Sequence, residues 1–310
     1  VRVLRAERIT STLSRSSMRS VLPCAAMAPM GDSTLVRLAP GVNVLVRGEG
    51  SVQFGLDASR SAVLDTAHPR ELKDILDAMI EPTAVRDVLN ALRGIPEIDE
   101  PEARTLVNDL LNYRILVDAN ERTVVVLGTS ALADEVVRLL RAGGITVRTP
   151  LIDEPLHPFL SRQSPDTPVV VVDQVPQLVR LREALADHAG WIIPVFTLDS
   201  RVVVGPASLD GDGPCLECVL MHAQERDPHT HVTATALSQA SSTNAPDPAV
   251  VAAGAAAAVV IVRRCAEVPE PPGVLVPEAE PGIALIIDPF GPQWVAEHPV
   301  GTHKSCPACL

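Results

Sequence analysis

Thr123-Val124-Val125-Val126-Leu127-Gly128-Thr129-Ser130 opens a run that continues through Ala131 and Leu132. Its first five residues are β-branched or apolar without interruption, as in a parallel strand buried on both faces. Gly128 punctuates the run, and Leu132, Val136, Leu139 and Leu140 then recur at helical spacing up to Gly143-Gly144. Ile145 to Val147, Val169 to Val172, Ile192 to Phe196 and Val202 to Val204 read as further strands, with a helical pattern from Leu178 to Leu185 between two of them. Ala249 to Cys265 reads as a helix and Ala284 to Ile287 as a late strand. This alternation predicts an α/β domain with a largely parallel sheet over 120–310.

On the N-terminal side the period is different. Val42 to Val46, Ser51 to Leu56 and Ala62 to Leu64 are short β-prone runs separated by turn signals such as Gly48-Glu49-Gly50. Leu72, Ile75, Leu76, Met79 and Ile80 form one helical stripe; Val85, Val88, Leu89 and Leu92 form a second. Leu106, Leu110 and Leu111 form a third, after an acidic start at Asp99-Glu100-Pro101-Glu102. Ile115-Leu116-Val117 closes the series as a strand, so 35–119 reads as a small winged-helix-like module. Residues 1–34, with five arginines against Glu7 in the first thirty, read as a disordered leader or a start-site extension, with Met18, Met27 and Met30 as candidate starts.

The chain has 310 residues, Lys+Arg 26 and Asp+Glu 38, hence a formal charge of −12. That balance argues against general binding of nucleic acid or anionic membranes. Aromatic residues number four Phe, two Trp and one Tyr, too few for a base-stacking surface. From Arg37 to Asp118 there are 9 basic and 14 acidic residues, a net of −5, which disfavours a DNA-binding role for the winged-helix-like module. No uninterrupted apolar run reaches the roughly 18 residues of a membrane span, and a cytoplasmic protein is expected.

Six cysteines are too few for a disulfide scaffold. Four of them form two C-x-x-C pairs: Cys215 with Cys218, and Cys306 with Cys309. A two-residue spacing lets one tight turn aim both sulfurs at one ion, and two such turns complete a tetrahedron. The expectation is a structural four-thiolate zinc site acting as a clasp across the 87 intervening residues; a pair of redox dithiols is the alternative. Cys24 and Cys265 read as plain thiols. His222, His229, His298 and His303 lie near the pairs and read as hydrogen-bonding or surface residues, with a His222–cysteine nucleophile pair as the alternative.

Gly128 stands where a phosphate-binding turn belongs, but the sequence there is Gly128-Thr129-Ser130-Ala131-Leu132-Ala133. The later glycines of a nucleotide fingerprint are missing, and Thr129 or Ser130 reads equally well as a helix cap. Close cradling of ATP phosphates is not expected; what remains is a degenerate nucleotide site of Gly128, Thr129 and Ser130, with Asp153 as a candidate to meet a ribose and Asp173 at the end of the later strand.

Gly213-Pro214-Cys215-Leu216-Glu217-Cys218, Arg226-Asp227-Pro228 and the ending His303-Lys304-Ser305-Cys306-Pro307-Ala308-Cys309 resemble the ThiF/MoeB-like (ubiquitin-activating-type) proteins of thiazole/oxazole-modified microcin clusters, the cyclodehydratase-domain or leader-peptide-binding family. The resemblance spans about 35–310. It implies a Rossmann-like domain with structural zinc, preceded by a winged-helix-type peptide-recognition domain. It also implies a precursor or leader peptide as ligand, a YcaO-type cyclodehydratase as partner and a homodimer. An active member of this fold carries a glycine-rich loop, basic triphosphate contacts and an Asp-Asn pair after a later strand. Here that strand is followed by Asp173-Gln174-Val175-Pro176-Gln177. The expected function is therefore a non-catalytic scaffold, with an active ATP-dependent adenylyltransferase as the alternative.

Overall fold

The computed structural model describes residues 2–5, 31–57, 62–240 and 244–309. Cys24 and the candidate starts Met18, Met27 and Met30 lie outside the described residues. The chain divides into two compact units: Val1–Asn120 with Pro269–Pro277, and Glu121–Val268 with Glu278–Leu310.

The first unit contains β1 (Arg2–Arg5), β2 (Leu35–Leu38), β3 (Val44–Val46), β4 (Ser51–Phe54), β5 (Ala62–Asp65), α1 (Pro69–Asp77), β6 (Thr83–Ala84), α2 (Val85–Leu92), α3 (Glu100–Asn112) and β7 (Leu116–Asp118). Its strands form two antiparallel sheets, ordered β1-β5-β4-β3 and β6-β2-β7. Arg2–Arg5, read from sequence as part of an unstructured leader, pairs with β5 through Arg2 opposite Asp65 and Arg5 opposite Val63. The helical stripes point inward as their spacing requires: Leu72 and Leu76 from α1, Val85, Val88, Leu89 and Leu92 from α2, and Leu106, Leu110 and Leu111 from α3 share one core. Helix α3 starts at a capping box, with the Asp99 carboxylate accepting from the Glu102 N–H at 2.9 Å and the Glu102 side chain accepting from the Asp99 N–H. The segment 269–277 joins this unit from far along the chain: the Arg114 guanidinium donates to the Val274 carbonyl at 3.1 Å.

The second unit runs β8 (Thr123–Leu127), α4 (Ala131–Ala142), β9 (Thr146–Arg148), α5 (Leu156–Leu160), β10 (Val169–Val172), α6 (Leu178–Ala184), β11 (Trp191–Leu198), β12 (Arg201–Val204), β13 (Ser208–Leu209), α7 (Leu216–Arg226), α8 (Thr230–Gln239), α9 (Pro248–Cys265), β14 (Ile283–Ile287) and β15 (Val295–Pro299). The sheet order is β15-β14-β12-β11-β10-β8-β9, with β13 paired to β11. Strands β9, β8, β10 and β11 are parallel, whereas β12, β14 and β15 are antiparallel. The sheet is therefore mixed rather than largely parallel. Two residues, Asp199 and Ser200, join β11 to β12, and a parallel crossover needs a dozen or more.

Burial on both faces follows from the alternation. Val124, Val126, Val170 and Val172 enter one core with α4 and α9. Val125, Leu127, Val169 and Val171 enter a second core with Phe159 of α5, Leu178 and Leu181 of α6, and Leu216 and Leu220 of α7. Helix α9 is long and apolar enough to cross a membrane by length and composition alone. Here Val250, Gly254, Ala255, Ala258, Val262 and Cys265 form its buried stripe, facing α4 and β12. Gly254 sits so close to the sheet that a Cβ would lie 2.4 Å from a Val202 methyl.

Candidate functional site

The two C-x-x-C pairs meet. Cys215 is the N-cap of α7, and Cys218 lies in its first turn, where the helix dipole favours thiolate over thiol. Cys306 and Cys309 sit on two successive turns, closed by Cys306 N–H donating to the His303 carbonyl at 2.9 Å and Cys309 N–H to the Cys306 carbonyl at 3.3 Å. The sulfurs of Cys215 and Cys218 are 3.8 Å apart, those of Cys215 and Cys306 3.6 Å, and those of Cys218 and Cys309 3.5 Å. A metal held at about 2.3 Å by four thiolates needs sulfur–sulfur edges of about 3.8 Å, so the cluster has the size of a tetrahedral zinc or iron shell. Distances between the pairs match the distance within one, which favours one four-sulfur centre over two separate dithiols. Burial pushes the Cys215 thiol well up and Cys218 up to about 11. Cys306 is also buried, which raises it, yet the Ala308 N–H and the neighbouring sulfurs bring it below its ordinary value. Four sulfurs crowded in this way are able to hold a metal ion, which would supply the positive charge that burial otherwise denies their thiolates.

The histidines divide by position. His303 is buried, and its backbone N–H donates to Cys218 Sγ at 3.2 Å. Its Nδ1 accepts from the Ser305 N–H at 3.1 Å, which places the ring proton on Nε2, 3.0 Å from Glu225 Oε1. His222, on α7 with Glu225, donates from Nε2 to the Gly301 carbonyl at 3.0 Å, and the two imidazoles meet edge to face at 4.9 Å. With Nδ1 accepting and the proton on Nε2, His303 has no lone pair left to offer a metal at His222, Glu225 and His303. The cluster is instead a polar brace between α7 and the turn that carries Cys306. Its carboxylate, Glu225, lies i+3 from His222 and was not singled out by the sequence; only that spacing marked it. His298 is exposed on β15, and the His229 N–H donates to Asp227 at 3.0 Å where α8 starts.

The second predicted constellation lies at the carboxyl ends of β8 and β10. Strand order β9-β8-β10-β11 reverses direction between β8 and β10, the place where an open parallel sheet leaves a crevice. Gly128 adopts φ 150°, and a Cβ there would stand 2.4 Å from the Val172 carbonyl oxygen. Glycine is needed for this close approach whether or not a phosphate binds. Ser130 caps α4 by accepting from the Ala133 N–H at 3.2 Å, and its hydroxyl donates to Asp173. Asp173, at φ 53°, also accepts from the Thr197 N–H at 2.6 Å and from the Thr197 hydroxyl at 3.2 Å. Thr197 is a partner the sequence did not reveal, since it lies 24 residues away on β11. Thr129 is exposed, and the first turn of α4 carries Asp134. Asp153 is exposed at φ 62° and stands apart from this group, in the loop after β9.

Comparison with solved structures places this architecture. The chain shares its fold with heterocyclases. One, described as a heterocyclase in complex with substrate and cofactor, aligns over 89% of this chain at 17% identity with a TM-score of 0.54. The heterocyclase TruD aligns over 89% at 15% identity with a TM-score of 0.53. This chain spans 39% and 43% of those two chains, about two fifths of their length. E. coli MccB aligns over 89% of this chain and 96% of its own at 14% identity, with a TM-score of 0.43. No protein-family profile matches the sequence, and no curated protein matches it.

Proposed function

We propose that this chain is a cytoplasmic, zinc-containing, ThiF-like scaffold that binds a precursor or leader peptide and presents it to a separate cyclodehydratase in azoline-type peptide modification, without adenylation activity of its own. The observation that carries the reading is the closure of the turn after β8 upon itself. Ser130 and Thr197 occupy the Asp173 carboxylate, and Asp134 adds a second negative charge to the helix start. Adenylation needs cationic clamps on a triphosphate, and two carboxylates at that mouth repel one. The YcaO-type partner is the one that the family resemblance implies. Among the described residues of the first unit, β3 is the outer strand of its sheet and lies beside α1. A leader peptide would add there as a further strand, its backbone pairing with the free edge of β3.

The test pairs two measurements on the full chain. Fluorescence anisotropy with labelled leader peptides encoded near the protein is expected to give saturable binding, lost on Val46→Pro in β3. ATP–pyrophosphate exchange is expected to stay at background. Exchange well above background would replace the scaffold with the second reading, an ATP-dependent adenylyltransferase, which the position of Asp173 at the switch point favours. Light scattering tests the homodimer that the resemblance implies.

A further inference from the structure

Strand β5 has a partner on each side. On one side it pairs with β4 in a single register, from Ser51 opposite Asp65 to Phe54 opposite Ala62. On the other it pairs with β1, the four residues Arg2–Arg5. The backbone decides which groups face β1. The Thr66 N–H donates to the Gly50 carbonyl at 3.0 Å, toward β4. Amide direction alternates along an antiparallel strand, so Leu64 also points to β4, while Val63 and Asp65 present their N–H and C=O groups to the other edge. Without β1 those groups form an open edge, a template for any extended chain. Side chains alternate as well: Ala62 and Leu64 are buried in the core, and Asp65 is exposed.

Strand β1 fits this edge loosely. Arg2 stands opposite Asp65 and Arg5 opposite Val63, so the register slips by one residue between them. A slip of one residue turns side chains to the other face, and four residues with such a slip do not set a continuous ladder. Charge and tethering favour the pairing instead. The first thirty residues hold five arginines against Glu7, whereas Arg37 to Asp118 carries a net −5. Opposite charges at facing positions stabilise a strand pair, and Arg2 faces Asp65 in the register. Being part of the same chain, the strand is supplied at an effective concentration that a free peptide has to exceed.

We propose that the β5 edge is a strand-addition site that the chain closes with its own Arg2–Arg5, a tethered plug that shuts out extended arginine-bearing peptides until it is displaced. An added strand gains affinity from main-chain hydrogen bonds, which Val63 and Asp65 supply; Asp65 and the acidic module supply the preference for arginine. Strands β5 and β3 lie on opposite sides of β4, so the plug goes beyond the leader-peptide reading at β3 and stands or falls separately from it: Val46→Pro probes one edge and Val63→Pro the other.

Hydrogen exchange and fluorescence anisotropy on the full chain and on a variant lacking residues 1–10 test the plug. The described core of this unit starts at Val36, so the shortened chain is expected to fold. Its Val63 and Asp65 amides are expected to exchange at least tenfold faster, while those of Leu64 and Thr66 stay unchanged. A labelled peptide of residues 1–10 is expected to bind the shortened chain at least tenfold more tightly than the full chain and to restore slow exchange. The same peptide with Arg2→Glu and Arg5→Glu is expected to bind tenfold or more weakly. Val63→Pro removes an N–H from this edge alone and is expected to abolish peptide binding by the shortened chain. Asp65→Lys, at an exposed position, is expected to weaken it with an unchanged melting temperature. Unchanged exchange at Val63 and Asp65 after truncation overturns the plug, as does a peptide that binds both chains alike or fails to bind the shortened one at millimolar concentration. Equal binding of the glutamate peptide overturns the preference for arginine. A dimer that dissociates on removal of residues 1–10 makes β1 a strand exchanged between copies and overturns its assignment as a plug of its own chain.

Discussion

The Ser130 hydroxyl and the Asp173 carboxylate are bonded to each other across the ends of two parallel strands, and the same serine oxygen caps helix α4. One side chain thus serves a helix start and a carboxylate 43 residues away. Ser130→Ala removes both bonds and is expected to destabilise the chain by about 1–2 kcal/mol, read as a lower urea midpoint. It is not expected to elicit ATP–pyrophosphate exchange. An unchanged midpoint would show that the bond contributes nothing to stability.

The four-sulfur cluster predicts one zinc per chain by elemental analysis. Structural zinc contributes on the order of 10 kcal/mol of apparent binding energy. Cys306→Ser, or removal of residues 306–310, is therefore expected to abolish stoichiometric metal and lower the melting temperature of the second unit steeply. Retained zinc at full stoichiometry with unchanged melting would refute the clasp.

Glu225 touches no sulfur, yet it faces His303, whose backbone holds Cys218. Outer partners of this kind typically change metal affinity by about 10–100-fold. Glu225→Ala should speed zinc transfer to a chromogenic chelator by that order, and Glu225→Gln should restore most of the difference. Identical transfer rates in all three proteins would remove Glu225 from the metal centre.

Gly254 predicts a packing limit. A methyl at that position meets three Val202 side-chain atoms at 2.4 to 2.8 Å, and overpacking of a tight core costs about 1–3 kcal/mol. Gly254→Ala is expected to fall in that range in denaturant melts, and adding Val202→Ala to the variant should recover part of the loss.

Asp109 lies in the last turn of α3, and burial raises its carboxyl above the ordinary value. A carboxyl raised in the folded state favours folding while protonated, and that contribution is lost as pH rises through the folded pKa. The helix C-terminus also disfavours a negative charge there, by about 0.3–1 kcal/mol. Asp109→Asn should therefore raise stability at pH 7, and the gain should shrink toward pH 3. A gain independent of pH would contradict the sign.

The sequence was most legible where chemistry depends on local spacing. Both C-x-x-C pairs come together, and the stripes of α2 and α3 bury the residues their period picks out, whereas the first stripe buries Leu72, Leu76 and Met79 but leaves Ile75 half-buried and Ile80 exposed. It was less legible where distant segments converge. Thr197 and Glu225 were missed because their roles arise from contacts that no local pattern encodes. The mixed sheet was read as largely parallel because buried valine strands look alike in either direction, and only the two-residue turn after Leu198 distinguishes them. The Thr230–Gln239 helix was missed because none of its residues is buried, so it has no apolar period to read.

The segment 269–277 belongs with the first unit although it is encoded after α9. The ribosome must therefore make the second unit through α9 before the first possesses all its parts. Units usually fold in the order of synthesis; here the first to emerge stays incomplete until most of the second has been made. Arg114 waits for the Val274 carbonyl across 160 residues of translation. A gene split at residue 120 would yield an N-terminal fragment lacking a piece of its own structure.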